Sequence, residues 1–312
     1  MNALRDSRPL FAAALVVTAM VILGLTDNLV VLVASDAGLW QFHLVRALFG
    51  LPVILIAARI SGASLRPVRM SAVVLRSLLV SLSMFFYFGA LAFVSVAESA
   101  AGLFMAPIWV LLITFLVYGD RVGMFHILVV AVGFSGVMLV LQPDLANLSV
   151  AILLPLAGGI FYALGAIVTR RYCSDENALT LLVGFFLSLV SWGVLGCVVL
   201  AIWQPVVPEG PDGFLLRGWS NVSPQWYGWI AVQALGAVIG VGLIFRAYLL
   251  AEPSFVSVFE YAMLVTGAFW GWMLWGQVMN GTAFVGGAMI IFAGIILARG
   301  ERTPRGGGGV AP

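Results

Sequence analysis

Ten times along its 312 residues the chain runs for about twenty positions with almost no charge. The runs cover roughly 10–34, 40–60, 71–94, 97–117, 123–141, 150–170, 179–203, 227–250, 253–275 and 281–299. A helix needs about 20 apolar residues to cross the hydrocarbon core of a bilayer. In lipid every backbone polar group must be satisfied within the protein, which restricts such runs to helices. The pattern therefore predicts an all-α integral membrane protein with ten transmembrane helices. Composition agrees: 62% of residues are hydrophobic and 9% charged, against roughly 45–50% and 25% in water-soluble domains.

Charge placement predicts orientation. With a cytoplasmic N-terminus, Arg5, Arg8, Arg59, Arg66, Arg69, Arg76, Arg121, Arg170, Arg171, Arg299, Arg302 and Arg305 fall at or near the cytoplasmic side, and Arg217 falls outside. This positive-inside bias puts both termini in the cytoplasm. The run from Pro9 is too long for the apolar core of a cleaved signal peptide and reads as an uncleaved first span. Residues 1–9 read as a cytoplasmic N-terminus, and the glycine-rich 300–312 as a disordered cytoplasmic tail. The net charge of +2 is too small to imply nucleic-acid binding. Cys173 and Cys197 match neither a disulfide framework nor a metal site, and no cofactor is expected.

The chain also echoes itself. The stretch 86–140 passes Tyr118-Gly119-Asp120; the stretch 243–297 passes Trp275-Gly276-Gln277 at the matching point, about 157 residues later. Each half, 10–141 and 150–299, holds five spans. Five is odd, so the second half must lie inverted relative to the first. Inverted-topology repeats are shared by many secondary transporters.

These features resemble the drug/metabolite transporter superfamily, specifically its EamA-type ten-helix members. The resemblance is carried by His43-Leu44-Val45-Arg46-Ala47, Phe104-Met105-Ala106-Pro107-Ile108 and Tyr118-Gly119-Asp120 in the first half. In the second half it is carried by Phe259-Glu260-Tyr261 and Trp272-Met273-Leu274-Trp275-Gly276-Gln277. Family members usually close the fourth and ninth spans with Gly-Glu. Here the first departure, Gly119-Asp120, is conservative, whereas Gly276-Gln277 removes a charge. The resemblance implies a secondary transporter in a bacterial inner membrane, exporting amino acids or related small metabolites by alternating access. The alternative is import of a small metabolite or cofactor. Oligomeric state is not legible.

Ionisable groups inside a membrane are functional candidates by default. Asp27 lies about 10 Å, and Arg46 about 9 Å, from the outer ends of their spans at 1.5 Å per residue. Arg246 lies about 6 Å and Glu260 about 10 Å from the inner ends of theirs. Depth alone thus suggests one ion pair toward each mouth of a central cavity, with Asp27 and Glu260 as candidate proton-coupling groups. Coupling to protons and facilitated diffusion both remain open at this level. Asn28, Tyr87, Tyr162, Tyr248, Tyr261 and Trp270 supply hydrogen-bonding groups on apolar bodies, which suits a cavity for amphipathic solutes. A buried pair also serves simply to neutralise charge and fix helix register, the favoured reading for Arg46. The glycines of the G-x-x-x-G stretch Gly236–Gly240, with Gly133, Gly136, Gly158, Gly159 and Gly165, read as close helix contacts.

One string in the sequence is of an enzyme type. Gly133-Phe134-Ser135-Gly136 matches the G-x-S-G string of intramembrane serine proteases, but His43 and His126 both precede Ser135, the reverse of the order such enzymes resemble. Together with the missing P-loop, this favours a transporter that is not an enzyme.

Overall fold

The computed structural model describes residues 9–118, 124–142, 150–173, 175–250 and 259–300. The expected Gly119-Asp120 turn, and Arg5, Arg8, Arg121, Pro253, Arg302 and Arg305, lie outside these residues. So do the side chains of Pro107, His126 and Tyr248.

All regular structure among the described residues is helical. In chain order the helices are α1 (Pro9–Asn28), α2 (Val31–Ala34), α3 (Leu39–Ser61), α4 (Met70–Ala90), α5 (Val96–Leu103), α6 (Ala106–Tyr118), α7 (Met124–Leu141), α8 (Val150–Tyr172), α9 (Ala178–Trp203), α10 (Pro224–Leu250), α11 (Ala262–Trp275) and α12 (Gly281–Gly300). Among the described residues five segments are long and apolar enough to cross a bilayer: Leu10–Ala34, Leu39–Ser61, Met70–Ala90, Ala178–Trp203 and Pro224–Ile244. Shorter apolar helices include Leu153–Thr169, Ala262–Trp275 and Gly281–Ala293. Many large apolar side chains are exposed. Along α9, Leu187, Val194, Leu195, Val198, Val199 and Ile202 are all exposed, a face that only lipid solvates at low cost.

Two expected spans are interrupted. The first breaks at Leu29–Val30, between α1 and α2, where tight turns replace the regular helical bonds. The fourth breaks at Phe104–Met105, between α5 and α6. The second break has a covalent cause one turn on: Pro107 has no N–H to return to the Leu103 carbonyl. At its other end α5 is fixed by a capping box, in which Ser95 Oγ accepts from the Glu98 amide and the Glu98 carboxylate accepts from the Ser95 amide. Glu98 is thus a helix-capping residue.

The helices meet through glycine. Gly236 and Gly240 of α10 leave room only for Thr26 and Leu23 of α1. Gly158 and Gly165 of α8 sit against α4 at Ser83 and Val80. Gly136 of α7 and Gly286 of α12 face one another so closely that a Cβ on either would strike the other's carbonyl oxygen. Contact at this range maximises dispersion between helices where lipid offers no hydrophobic drive for association. The most extensive packings are α4 with α8, α7 with α12, α1 with α10 and α3 with α9. Next come α1 with α11, α10 with α3, α4 with α9, α5 with α8, and α5 with α11.

The long α9–α10 connection folds back over one end of the bundle. Its Phe214 is fully buried and its carbonyl accepts from the Leu39 amide. Arg217 donates to the carbonyls of Ala34 and Ala37, and Gln41 exchanges hydrogen bonds with Ser220. Both cysteines are free thiols.

Candidate functional site

Asp27 lies in the last turn of α1, one residue before the helix breaks. A broken helix exposes carbonyls, and here α10 and α11 supply the donors. Gln233 donates to Thr26 O, Trp275 to Asn28 O and Trp226 to Val33 O. Trp270 and Thr266 donate to the carbonyls of Val21 and Met20. Asn28 Nδ2 donates both to Gly24 O and, across to α11, to Gly267 O. Trp226 is 1% exposed, and its indole, like that of Trp275, ties the first span to the second half of the chain. The Trp270 indole does the same from a more exposed position.

With its backbone held, the Asp27 carboxylate reaches α4 and accepts a 2.9 Å hydrogen bond from the Tyr87 hydroxyl. Asp27 is 7% exposed and Tyr87 3%. A hydrogen bond to an ionised acceptor is worth about 1.5–3 kcal/mol net, and its loss here would strand a buried carboxylate. Tyr87 is itself braced, because the Ser99 hydroxyl of α5 donates to its carbonyl.

Arg46 enters the same region from α3. It lies within electrostatic reach of Asp27, as depth suggested, but its nearest bonds are of another kind. One Nη stands 3.3 Å from His43 Nδ1. The guanidinium carbon is 4.9 Å from the Phe42 ring centroid and 4.2 Å from that of Phe88. Two aromatic faces thus share the cation. His43, one turn away and fully buried, packs on Phe85 and Phe88. It was legible in the sequence only as an ionisable residue within a span.

The second group of candidates gathers at the other break. Tyr261, where α11 begins, stacks edge-on against Phe104 at 5.3 Å. Glu260 beside it lies within electrostatic reach of Tyr162 on α8. Arg76 of α4 is buried and donates to Thr169 Oγ1 and to the Leu181 carbonyl. Its position within the third span was the available signal. Arg246, by contrast, stands exposed on α10. α11 closes at Gly276, whose left-handed φ of 67° returns its amide to Trp272 O. That conformation explains the glycine of the Gly276-Gln277 motif.

Two features lie apart from these groups. A cavity of about 250 Å³ lies between α3, α9 and the α9–α10 connection, among Trp40, Trp192, Trp203 and Leu215. None of the candidate residues lines it. Ser135 is exposed on α7 and donates to its own helix at Ala131 O.

Residues 10–142 match the EamA-like transporter family. The chain is 27% identical over 262 residues to a pseudopaline exporter of Pseudomonas aeruginosa, covering 82% of this chain and 85% of that one. It is 25% identical over 270 residues to a riboflavin transporter of Rhizobium johnstonii, covering 86% and 82%. A riboflavin transporter of Vibrio cholerae is 26% identical over 208 residues, 67% of this chain and 64% of that protein's length. One crystal structure superposes over 93% of this chain and 99% of its own with a TM-score of 0.60 at 18% identity, a likeness of fold. The helical bundle and these relatives define a multi-pass membrane transporter rather than an enzyme. Over residues 10–142 the chain is similar to the EamA-like transporters.

Proposed function

We propose that the chain is a secondary transporter built from two inverted five-helix halves, 10–141 and 150–299, which exports amino acids or related small metabolites by alternating access. The observation that carries this reading is the symmetry of the helix packing. If span n in the first half is equivalent to span n + 5 in the second, α4 against α8 maps onto α10 against α1. Likewise α4 against α9 maps onto α10 against α3, and α5 against α8 onto α11 against α1. The pairs α3–α9, α5–α11 and α7–α12 map onto themselves. The edge-on pair Phe104 and Tyr261 obeys the same rule, because the two are separated by the repeat lag of 157 residues. Discontinuous helices facing one another at a repeat interface mark substrate sites in transporters of this architecture.

The packing supports two three-part bodies, α4 with α5–α6 and α8, and α10 with α11 and α1–α2. The Asp27–Tyr87 bond joins them at one end. The Glu260–Tyr162 approach joins them elsewhere. Rocking one body against the other breaks one junction while the other holds, which is alternating access in outline. Positive-inside charge supports a bacterial inner membrane with both termini cytoplasmic, the Asp27 end then facing outward. Import of a small metabolite is the second reading, supported by relatives named riboflavin transporters.

Purified protein in liposomes, assayed with labelled amino acids and with riboflavin at equal and at opposed pH, tests the reading. Saturable flux of an amino acid supports it. Flux of riboflavin alone would replace it with the second reading. Flux that accelerates with the gradient in wild type but not in Asp27→Asn or Glu260→Gln would assign proton coupling.

A further inference from the structure

The Asp27–Tyr87 bond leaves its neighbours short of acceptors. His43 and Arg46 lie one turn apart on α3, with Arg46 Nη2 3.3 Å from His43 Nδ1. A guanidinium carries donors only. Nδ1 is therefore the acceptor, and the imidazole proton sits on Nε2. Among the described residues that Nε2–H has no hydrogen-bond partner, and neither has Nε–H of Arg46. Both side chains are more than nine-tenths buried, at 0% and 3% exposure. The rings of Phe42, Phe85 and Phe88 surround them and offer π faces but no oxygen. Buried donors are almost always satisfied in native proteins. Two orphaned donors on side chains in contact, one of them cationic, are a deficit that the oxygens of an anion fill. Asp27 does not fill it in this state, since its hydrogen bond is to Tyr87.

We infer that Arg46 and His43 form the subsite for a carboxylate group of the transported solute, so that substrates are organic acids or amino acids rather than organic cations or uncharged solutes. One guanidinium and one neutral imidazole match a single negative charge on two oxygens, and fall short of a dianionic phosphate. Opening the Asp27–Tyr87 junction gives the carboxylate access; closing it seals the carboxylate against the aromatic cage. This inference rests on the transport reading and narrows it to one class of substrate.

The test uses proteoliposomes of the full chain, with labelled phenylalanine, glutamate and lactate beside phenylalaninamide and phenethylamine, which lack the carboxylate. Flux should be confined to solutes with a free carboxylate. Arg46→Gln and His43→Phe should each raise KM at least tenfold with a smaller change in maximum rate. His43→Gln, which returns a donor near the Nε2 position, should recover most of the loss. Gel filtration checks that each variant is folded, and if the variants fail to fold the comparison of acid with amide in the wild type decides alone. Flux of the amide or the amine at the rate of the acid overturns the subsite, as does a variant that loses rate with KM unchanged. Absence of flux for every solute from folded wild-type protein overturns the transport reading itself, a separate outcome.

Discussion

The two breaks in the bundle are built from different chemistry. At the first, near Asp27, every element is tied by hydrogen bonds: indoles and amides from α10 and α11 hold the carbonyls of α1–α2, and Tyr87 holds the carboxylate. The long α9–α10 connection packs over that end. At the second, near Glu260, Tyr261 meets Phe104 edge to face, Arg76 donates to Thr169 Oγ1 and the Leu181 carbonyl, and Glu260 and Tyr162 are only half-buried. A hydrogen bond in a dry interior holds one geometry, whereas an edge-to-face ring pair is favourable over centroid separations of about 4.5–7 Å. The difference suggests a latch at one break and a pivot at the other, and each prediction below bears on that contrast.

The largest effect should come from the latch. Tyr87→Phe removes one hydroxyl and leaves the Asp27 carboxylate without its donor. At about 1.5–3 kcal/mol for a charged hydrogen bond, the closed state should lose roughly ten- to hundredfold in population. With Cys173 and Cys197 replaced by alanine and a reporter cysteine at Leu91, which is 4% exposed, labelling by an impermeant maleimide should rise by a similar factor. Unchanged labelling would mean that the hydroxyl is not what holds this end shut.

The pivot should respond through the two rings together. A double-mutant cycle on Phe104→Ala and Tyr261→Ala should give a coupling of about 0.5–1.5 kcal/mol in thermal or denaturant stability, the usual worth of an aromatic pair beyond its burial. Additive single effects would remove the ring pair from the argument. Glu260→Gln should lower flux while moving the melting temperature less than Asp27→Asn does, because Glu260 is less deeply buried. The opposite order would erase the distinction between the two ends.

How much of this the sequence disclosed depends on the kind of interaction. Spans were legible because lipid imposes length and polarity on each helix separately. Asp27, Arg46 and Glu260 were legible for the same reason: charge within a span is conspicuous. The glycine contacts followed from spacing, since Gly236 and Gly240 lie on one face of α10. Partners were not legible. Depth brought Asp27 and Arg46 to one level, but the hydrogen bond to Tyr87 depends on how α1 and α4 are rotated, and apolar helices with little amphipathic pattern do not announce their rotation. The break at Leu29–Val30 was hidden as well, because no proline or glycine marks it; its stability comes from Gln233, Trp226 and Trp275, some two hundred residues away.

Ser135 gives the smallest expected effect, and its smallness is informative. Its hydroxyl returns to the Ala131 carbonyl one turn back and faces outward from α7. A serine bonded to its own helix contributes little, and surface substitutions of this kind usually stay within about 0.5 kcal/mol. Ser135→Ala should leave both flux and melting temperature where they are. A hydrolase dependent on that hydroxyl would instead lose its activity outright, so the one substitution separates a glycine-serine string that merely packs a helix from one that does chemistry. A flux loss in this variant would also move functional weight onto α7, away from both breaks, and the contrast between latch and pivot would no longer describe where the protein works.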